Sequence, residues 1–145
     1  MGNLAIKRVY APPAESDGKR ILVDRLWPRG LSRSEAAIDD WIKEIAPSPA
    51  LRKWFGHDPA RFAEFGNLYL EELDGNPAPV VRLCGTLQDQ DVTLVYAARD
   101  ERHNHVRVLR DRITAFAAGD RKVPALDMDD AALELKSVGQ AYRQM

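Results

Sequence analysis

The chain contains a single cysteine, Cys84, so no internal disulfide can form and no oxidising compartment is called for. No stretch approaches the roughly 18 apolar residues of a membrane span. The opening Met1-Gly2-Asn3-Leu4-Ala5-Ile6-Lys7-Arg8 also lacks the apolar core of a secretory signal. The expected location is therefore the cytoplasm, with no membrane partner. An excess of one charge is missing too. The 21 Lys+Arg against 22 Asp+Glu leave a net charge of −1, so any basic function must come from a local cluster. Neither a P-loop, a G-x-G-x-x-G turn, a G-x-S-x-G elbow nor an H-E-x-x-H pair is present. Their absence removes the readily recognised enzyme classes, and no cofactor is expected.

What is present suits one folded domain. The 145 residues are 45% hydrophobic and 30% charged, a globular balance at a length that one core can serve. Arginine outnumbers lysine 15 to 6. That bias suits bidentate recognition of carboxylate or phosphate, although a GC-rich genome produces the same bias without a functional cause.

Leu4 to Tyr10 predicts a first strand, closed by Ala11-Pro12-Pro13 and a turn containing Asp17-Gly18. Arg20 to Leu26 predicts a second, apolar on both pleat faces through Ile21-Leu22-Val23 before it breaks into Asp24-Arg25. After the Trp27-Pro28-Arg29-Gly30 loop, Ser32 and Glu35 have capping-box spacing. Ile38, Trp41, Ile42 and Ile45 then fit a helix, and a short strand near Trp41 fits almost as well. Ser48-Pro49 and Asp58-Pro59 each pair an N-cap residue with a proline at the first helical position. Val80, Leu83, Cys84 and Leu87 share one face of a later helix, which makes Cys84 a packing residue rather than a nucleophile. Val92 to Ala98 predicts a strand buried on both faces, ending in Arg99-Asp100, and Asn104 can cap a helix through Val106, Leu109, Ile113 and Phe116. The fold class expected is α/β, a single compact domain over residues 1–119 with a small, mainly parallel sheet flanked by helices. Residues 120–145 are expected to form a C-terminal extension, with helical spacing through Met128, Ala132, Leu135 and Val138.

The chemistry-bearing residues cluster at strand ends. In open parallel sheets the ligand crevice lies beyond the carboxyl ends of the strands, so Asp24-Arg25 and Arg99-Asp100 are expected to face one cleft. The helix that starts near Asn104 would add backbone N–H groups there. Arg25, Arg29, Arg99, Asn104 and His105 thus define a candidate anion pocket. The competing structural reading makes the acid–arginine pairs salt bridges that stitch strand ends together. Trp27 either walls a ligand or pins its loop to the core. A metal site built from His57, Asp58, His103 and His105 is not expected, because ligands two apart at a helix start splay away from each other.

At these same segments the chain shows a resemblance. Ile21 to Gly30, Ala46-Pro47-Ser48, Leu51 to His57, Thr93 to Ala98 and Asn104-His105 are similar to the motifs of the YeaO-like proteins, domain-of-unknown-function family 488. The likeness covers roughly Ile6 to Phe116. It implies an α/β fold and points to the same arginine loops, but supplies no reaction. Arg99 stands where that family more often shows a lysine.

Three functional expectations follow, with catalysis left open in the first. One is a domain that holds a small phosphate- or carboxylate-bearing anion or a nucleotide. Arg25, Arg29 and Arg99 would clamp the ligand and Trp27, Asn104 and His57 would line it. If it is an enzyme, Asp24 or Asp100 would be the acid–base, with His105 or His57 as the alternative proton carrier. The second is a nucleic-acid-associated accessory protein, in which Arg25, Arg29, Arg33, Arg102, Arg107 and Arg110 would contact phosphates and Trp27 or Trp54 would stack on a base. The third is a purely structural or protein-interaction module, with the C-terminal segment as an interface.

Overall fold

The computed structural model describes residues 1–118, so the expected extension at 120–145 lies outside the described residues. The chain divides into two units. Among the described residues, one comprises Met1–Ala46 and Ala78–Arg102, the other Pro47–Pro77 and residues 103–118.

The first unit carries a four-stranded sheet of β1 (Leu4–Arg8), β2 (Lys19–Leu22), β3 (Asp40–Trp41) and β4 (Val92–Tyr96), in the order β1-β4-β2-β3. Every pairing is parallel, as expected of an α/β fold. β4 lies between β1 and β2 and is buried along its whole length, which explains its nearly unbroken apolar sequence. On one face Val9, Leu22, Ala36 and Val95 form a core with Trp27, Leu31, Ile38, Trp41 and Ala97 packed against it. Ile21, Val23, Leu94 and Tyr96 alternate onto the other face and are equally buried. Helix α4 (Ala78–Asp89) buries Val80, Leu83, Cys84 and Leu87, the stripe its sequence predicts.

The strands are shorter than their sequences suggest, and one residue explains much of it. Val23 N–H still reaches the Val95 carbonyl at 3.2 Å. One step on, the Asp24 carboxylate accepts from Ala97 N–H at 2.8 Å. A side chain thus takes the donor that a longer ladder would have used, and β2 and β4 both end.

Ser32 and Glu35 form the expected capping box, with Glu35 N–H on Ser32 Oγ at 3.2 Å and Ser32 N–H on Glu35 Oε1 at 3.0 Å. The helix it starts, α1 (Arg33–Ala36), lasts one turn. Ala37 turns left-handed at φ 50°, and Arg20 donates to the Ala36 and Ala37 carbonyls at 3.0 and 3.1 Å. Those acceptors are no longer free to continue the helix, and the chain instead enters β3, with Ile42 N–H on the Leu22 carbonyl at 3.0 Å. Of the two sequence readings of this stretch, the short strand is the one realised. Between β1 and β2, Gly18 adopts φ 63° against β4's entry, where an added Cβ would stand 2.4 Å from the Asp91 carbonyl oxygen. Only glycine fits.

The second unit is helical. Helix α2 (Pro49–Phe55) starts at Ser48, whose Oγ accepts from Leu51 N–H at 3.1 Å, and ends at left-handed Gly56. Ser48 is also held by Glu72, which accepts from its N–H and hydroxyl at 2.8 and 2.6 Å. Helix α3 (Phe62–Gly75) packs on both α2 and α5 (His105–Ala117). Phe65, Leu68, Tyr69, Leu73, Val106, Leu109 and Ile113 are buried, each such side chain contributing about 1.5–3 kcal/mol. No described helix is long and apolar enough to cross a membrane.

Candidate functional site

Because all strands run parallel, their carboxyl ends share one edge of the sheet. Asp24-Arg25 leaves β2 there and Arg99-Asp100 leaves the adjacent β4. Chain order adds a reason to look at this edge. From β1 the chain moves out to β2 and β3, then returns to insert β4 beside β1, and such reversals are where ligand crevices open in parallel sheets.

The four residues have different occupations. Asp24 caps Ala97 N–H, and its own carbonyl accepts from the Trp41 indole at 2.7 Å. Arg25, half-buried, donates from Nη2 to the Ala46 carbonyl at 3.0 Å. The Asp100 carboxylate accepts from Arg102 N–H at 2.9 Å. Arg99 is exposed, as is Arg29 on the neighbouring loop, and neither guanidinium has a hydrogen-bond or ion-pair partner among the described residues.

Trp27 anchors the loop that carries Arg29. Its indole N–H donates to the Leu31 carbonyl at 2.8 Å, and its ring meets Trp41 edge-on with centroids 5.5 Å apart. Both its polar handle and its apolar face are thereby engaged.

Two residues that the sequence reading did not single out join the loop to the strand ends. The Tyr10 hydroxyl donates to the Arg29 carbonyl at 2.9 Å. The Arg8 guanidinium lies over the Tyr10 ring, 5.2 Å from its centroid. Arg8 also donates from Nε to the Ala98 carbonyl at 2.9 Å and from Nη2 to that of Ala97 at 3.4 Å. A continuous run of contacts therefore joins Arg29, Tyr10, Arg8 and the backbone next to Arg99. A signal for Arg8 did exist: β1 turns from apolar to charged at its carboxyl end, as β2 and β4 do. Tyr10 had none, because its partner is 19 residues away.

The remaining candidates belong to the helical unit. Asn104 is buried, and its Oδ1 accepts from Val106 and Arg107 N–H at 3.1 and 3.2 Å. Two donors that an anion could have used at the start of α5 are thus occupied by the cap. His105 opens that helix with its ring edge-on to Tyr69, centroids 5.8 Å apart. His57 is exposed and left-handed at φ 57°, 6.1 Å from the Phe55 ring. No group of acids, histidines and cysteines suited to a metal ion occurs among the described residues.

A separate groove of about 400 Å³ runs between α3 and α5, lined by Phe62, Ala63, Leu70, Val108 and Ala115 with Arg112 at its side. None of the expected site residues lines it. Its arginine is already paired, since Arg112 Nη2 donates to both Asp74 oxygens at 2.7 and 2.9 Å. Burial raises the Asp74 carboxyl above its ordinary range, and Arg112 pulls it part of the way back.

The comparisons with known proteins point one way. The model of DUF488-N3i, described as the "Inactive DUF488-N3 subclade", matches residues 3–126. The uncharacterized protein YeaO of Escherichia coli (strain K12) is 46% identical over 109 residues, which cover 75% of this chain and 95% of that protein. The uncharacterized proteins Mb3100c of Mycobacterium bovis and Rv3073c of Mycobacterium tuberculosis are each 39% identical over 104 residues, covering 72% of this chain and 87% of theirs. No solved structure matches the chain significantly.

Proposed function

Since the chain belongs to the DUF488-N3i family, we propose that it is a non-catalytic binder of a phosphate- or carboxylate-bearing molecule at the carboxyl edge of its sheet. The observation that carries this reading is the contact run from Arg29 through Tyr10 and Arg8 to the backbone beside Arg99. It joins the Arg29 loop to the Arg8 guanidinium and to the backbone next to Arg99, and Arg29 and Arg99 are both exposed with no side-chain partner among the described residues. Planar guanidinium groups match the paired oxygens of carboxylate and phosphate, and anchored loops hold such donors in place without a large ordering cost on binding.

The family's description as inactive favours binding over turnover. So does the occupation of the nearest acid, because Asp24 already holds Ala97 N–H. Arg25, whose Nη2 is committed to the Ala46 carbonyl, shapes the edge from beneath. Asp100, Trp27, Asn104, His105 and His57 have no step assigned to them.

The test is a melting-temperature screen of the full chain against inorganic phosphate, sugar phosphates, nucleotides and organic acids. A ligand at 100 times its Kd stabilises the native state by about 2.7 kcal/mol. Stabilisation that disappears in Arg29→Ala and Arg99→Ala supports the reading. A full screen with no stabilising anion rejects it.

A further inference from the structure

Among the described residues, Tyr10 is one of four large apolar side chains that are exposed, at 42%, and Leu26, on the Arg25–Gly30 loop, is another at 67%. Both follow strand ends at the carboxyl edge, as Arg25, Arg29 and Arg99 do. A tyrosine left half in water is ordinary, but this one is fixed at both ends. Its hydroxyl is tied to the Arg29 backbone and one ring face lies under Arg8. The ring is thereby held in a set orientation against the loop that carries Arg29, with part of its surface left exposed. A bare phosphate or a small organic acid needs only the cations. An oriented aromatic ring among them adds a flat apolar platform, and a flat apolar group attached to an anion is what would use it.

We propose that the ligand joins a phosphate to a planar base, as a nucleotide or as the end of a single nucleic-acid strand, and that Tyr10 is its stacking residue. This rests on the anion-binding reading and narrows it. Arg29 and Arg99 hold the phosphate, Tyr10 takes the base, and Arg8 polarises the ring from behind while fixing it to the end of β4. Base–aromatic stacking contributes about 1–3 kcal/mol per base, enough to separate a nucleotide from the same phosphate without its base.

The experiment is a calorimetric titration of the full chain with ribose 5-phosphate, a set of nucleoside 5′-monophosphates and a 5′-phosphorylated single-stranded tetranucleotide. At least one monophosphate is expected to bind tenfold or more tightly than ribose 5-phosphate. In Tyr10→Ala that advantage should vanish, whereas Tyr10→Phe, which also loses the hydroxyl tie to the Arg29 carbonyl but keeps the ring, should retain most of it, so that loss of the tie is told apart from loss of the stacking face. If the tetranucleotide binds more tightly than the monophosphate, and with a steeper loss in salt, the source is a strand. Equal or weaker binding with a matching salt dependence makes it the free nucleotide. Equal affinity for ribose 5-phosphate and every monophosphate overturns the stacking proposal and leaves the anion site standing, as does a base preference that survives in Tyr10→Ala. Failure of every phosphate compound to bind overturns both.

Discussion

Arginines and aspartates stand at both ends of the same sheet, and they are partnered in different ways. At the amino end of β2, Arg20 is only 3% exposed, and each of its three guanidinium nitrogens donates: Nε to the Ala37 carbonyl, Nη1 to Asp17 at 2.7 Å and Nη2 to the Ala36 carbonyl. Asp17 is buried as well, and it collects Ala14 N–H at 3.0 Å and the Lys7 ammonium at 3.1 Å. This cluster is closed. At the carboxyl end, Arg29 and Arg99 are exposed and have no side-chain partner among the described residues, while Arg8 spends its donors on backbone carbonyls. The residue types are nearly the same. The difference lies in what the backbone offers: a helix one turn long ends beside Arg20 and presents two free carbonyls, whereas beside Arg99 the nearby Ala97 and Ala98 carbonyls are taken by Arg8. The closed cluster stitches the sheet to α1, and the open one is where the proposed ligand would bind.

The sharpest way to break this contrast is to remove Arg20. Arg20→Ala leaves Asp17 buried without its shortest ion pair and the last carbonyls of α1 without donors. The expected cost is about 3–5 kcal/mol, a fall in melting temperature on the order of 10 °C for a chain of this size. A variant that melts with the wild type would show that the closed cluster is not structural.

Acid should act on the same cluster. Burial pushes the Asp17 carboxyl up, but the Ala14 N–H, Arg20 and Lys7 outweigh it and leave the group below its ordinary value. A carboxylate whose folded pKa is depressed stabilises the fold above its unfolded pKa, and that contribution is lost as pH falls through the folded value. Asp74 has the opposite sign. Its folded pKa is raised by burial, so the native state binds the proton more readily and the cost of its charge shrinks as pH falls from neutral. Melting curves from pH 7 down to pH 3 should therefore show Asp17→Asn flattening the acid loss and Asp74→Asn steepening it. The same slope in both variants would mean that neither carboxyl is linked to folding as described.

How much of this was legible in the sequence depends on the distance over which each interaction reaches. The capping signals at Ser32, Ser48 and Asn104 act over two or three residues, and all three caps are present. Buried strands revealed themselves through unbroken apolar runs, and parallel pairing then placed Asp24-Arg25 and Arg99-Asp100 at one edge. The stretch after Ala36 could not be decided locally. Its helix is ended by a guanidinium 16 residues earlier in the chain, and nothing at Ile38 or Trp41 reports that. Tyr10 was missed for the same reason, its partner lying 19 residues away, whereas Arg8, whose partner lies 90 residues away, did leave a trace in the charged carboxyl end of β1. The Arg20 and Arg99 neighbourhoods look alike in sequence because the deciding atoms are backbone carbonyls, which every residue carries.

A smaller effect is expected at the start of α5. Asn104 Oδ1 satisfies two backbone donors in a buried position, so Asn104→Ala should cost about 1 kcal/mol, within the 0.5–2 range of such caps, with Asn104→Asp recovering most of it. If Asn104→Ala leaves the melting temperature unchanged, solvent reaches those donors and the cap is dispensable. In that case the start of α5 would return as a place for an anion to bind.

The smallest effect on stability is expected where the effect on binding is largest. Arg29→Ala and Arg99→Ala remove exposed side chains that have no partner among the described residues, so each should change stability by no more than about 0.5 kcal/mol. Binding is a separate matter, because a phosphate held by two guanidinium groups loses half of its charged donors with either substitution. Arg29→Lys is the discriminating control. It keeps the charge but loses the planar fork, so a site that recognises paired oxygens should weaken markedly, whereas one that offers only positive potential should hardly change. Measured on one protein preparation by melting and by titration, the pair Arg20→Ala and Arg99→Ala should then separate cleanly: the first unstable, the second stable and unable to bind. If Arg99→Ala instead falls in melting temperature as far as Arg20→Ala, both clusters are structural and the carboxyl edge is not a binding site.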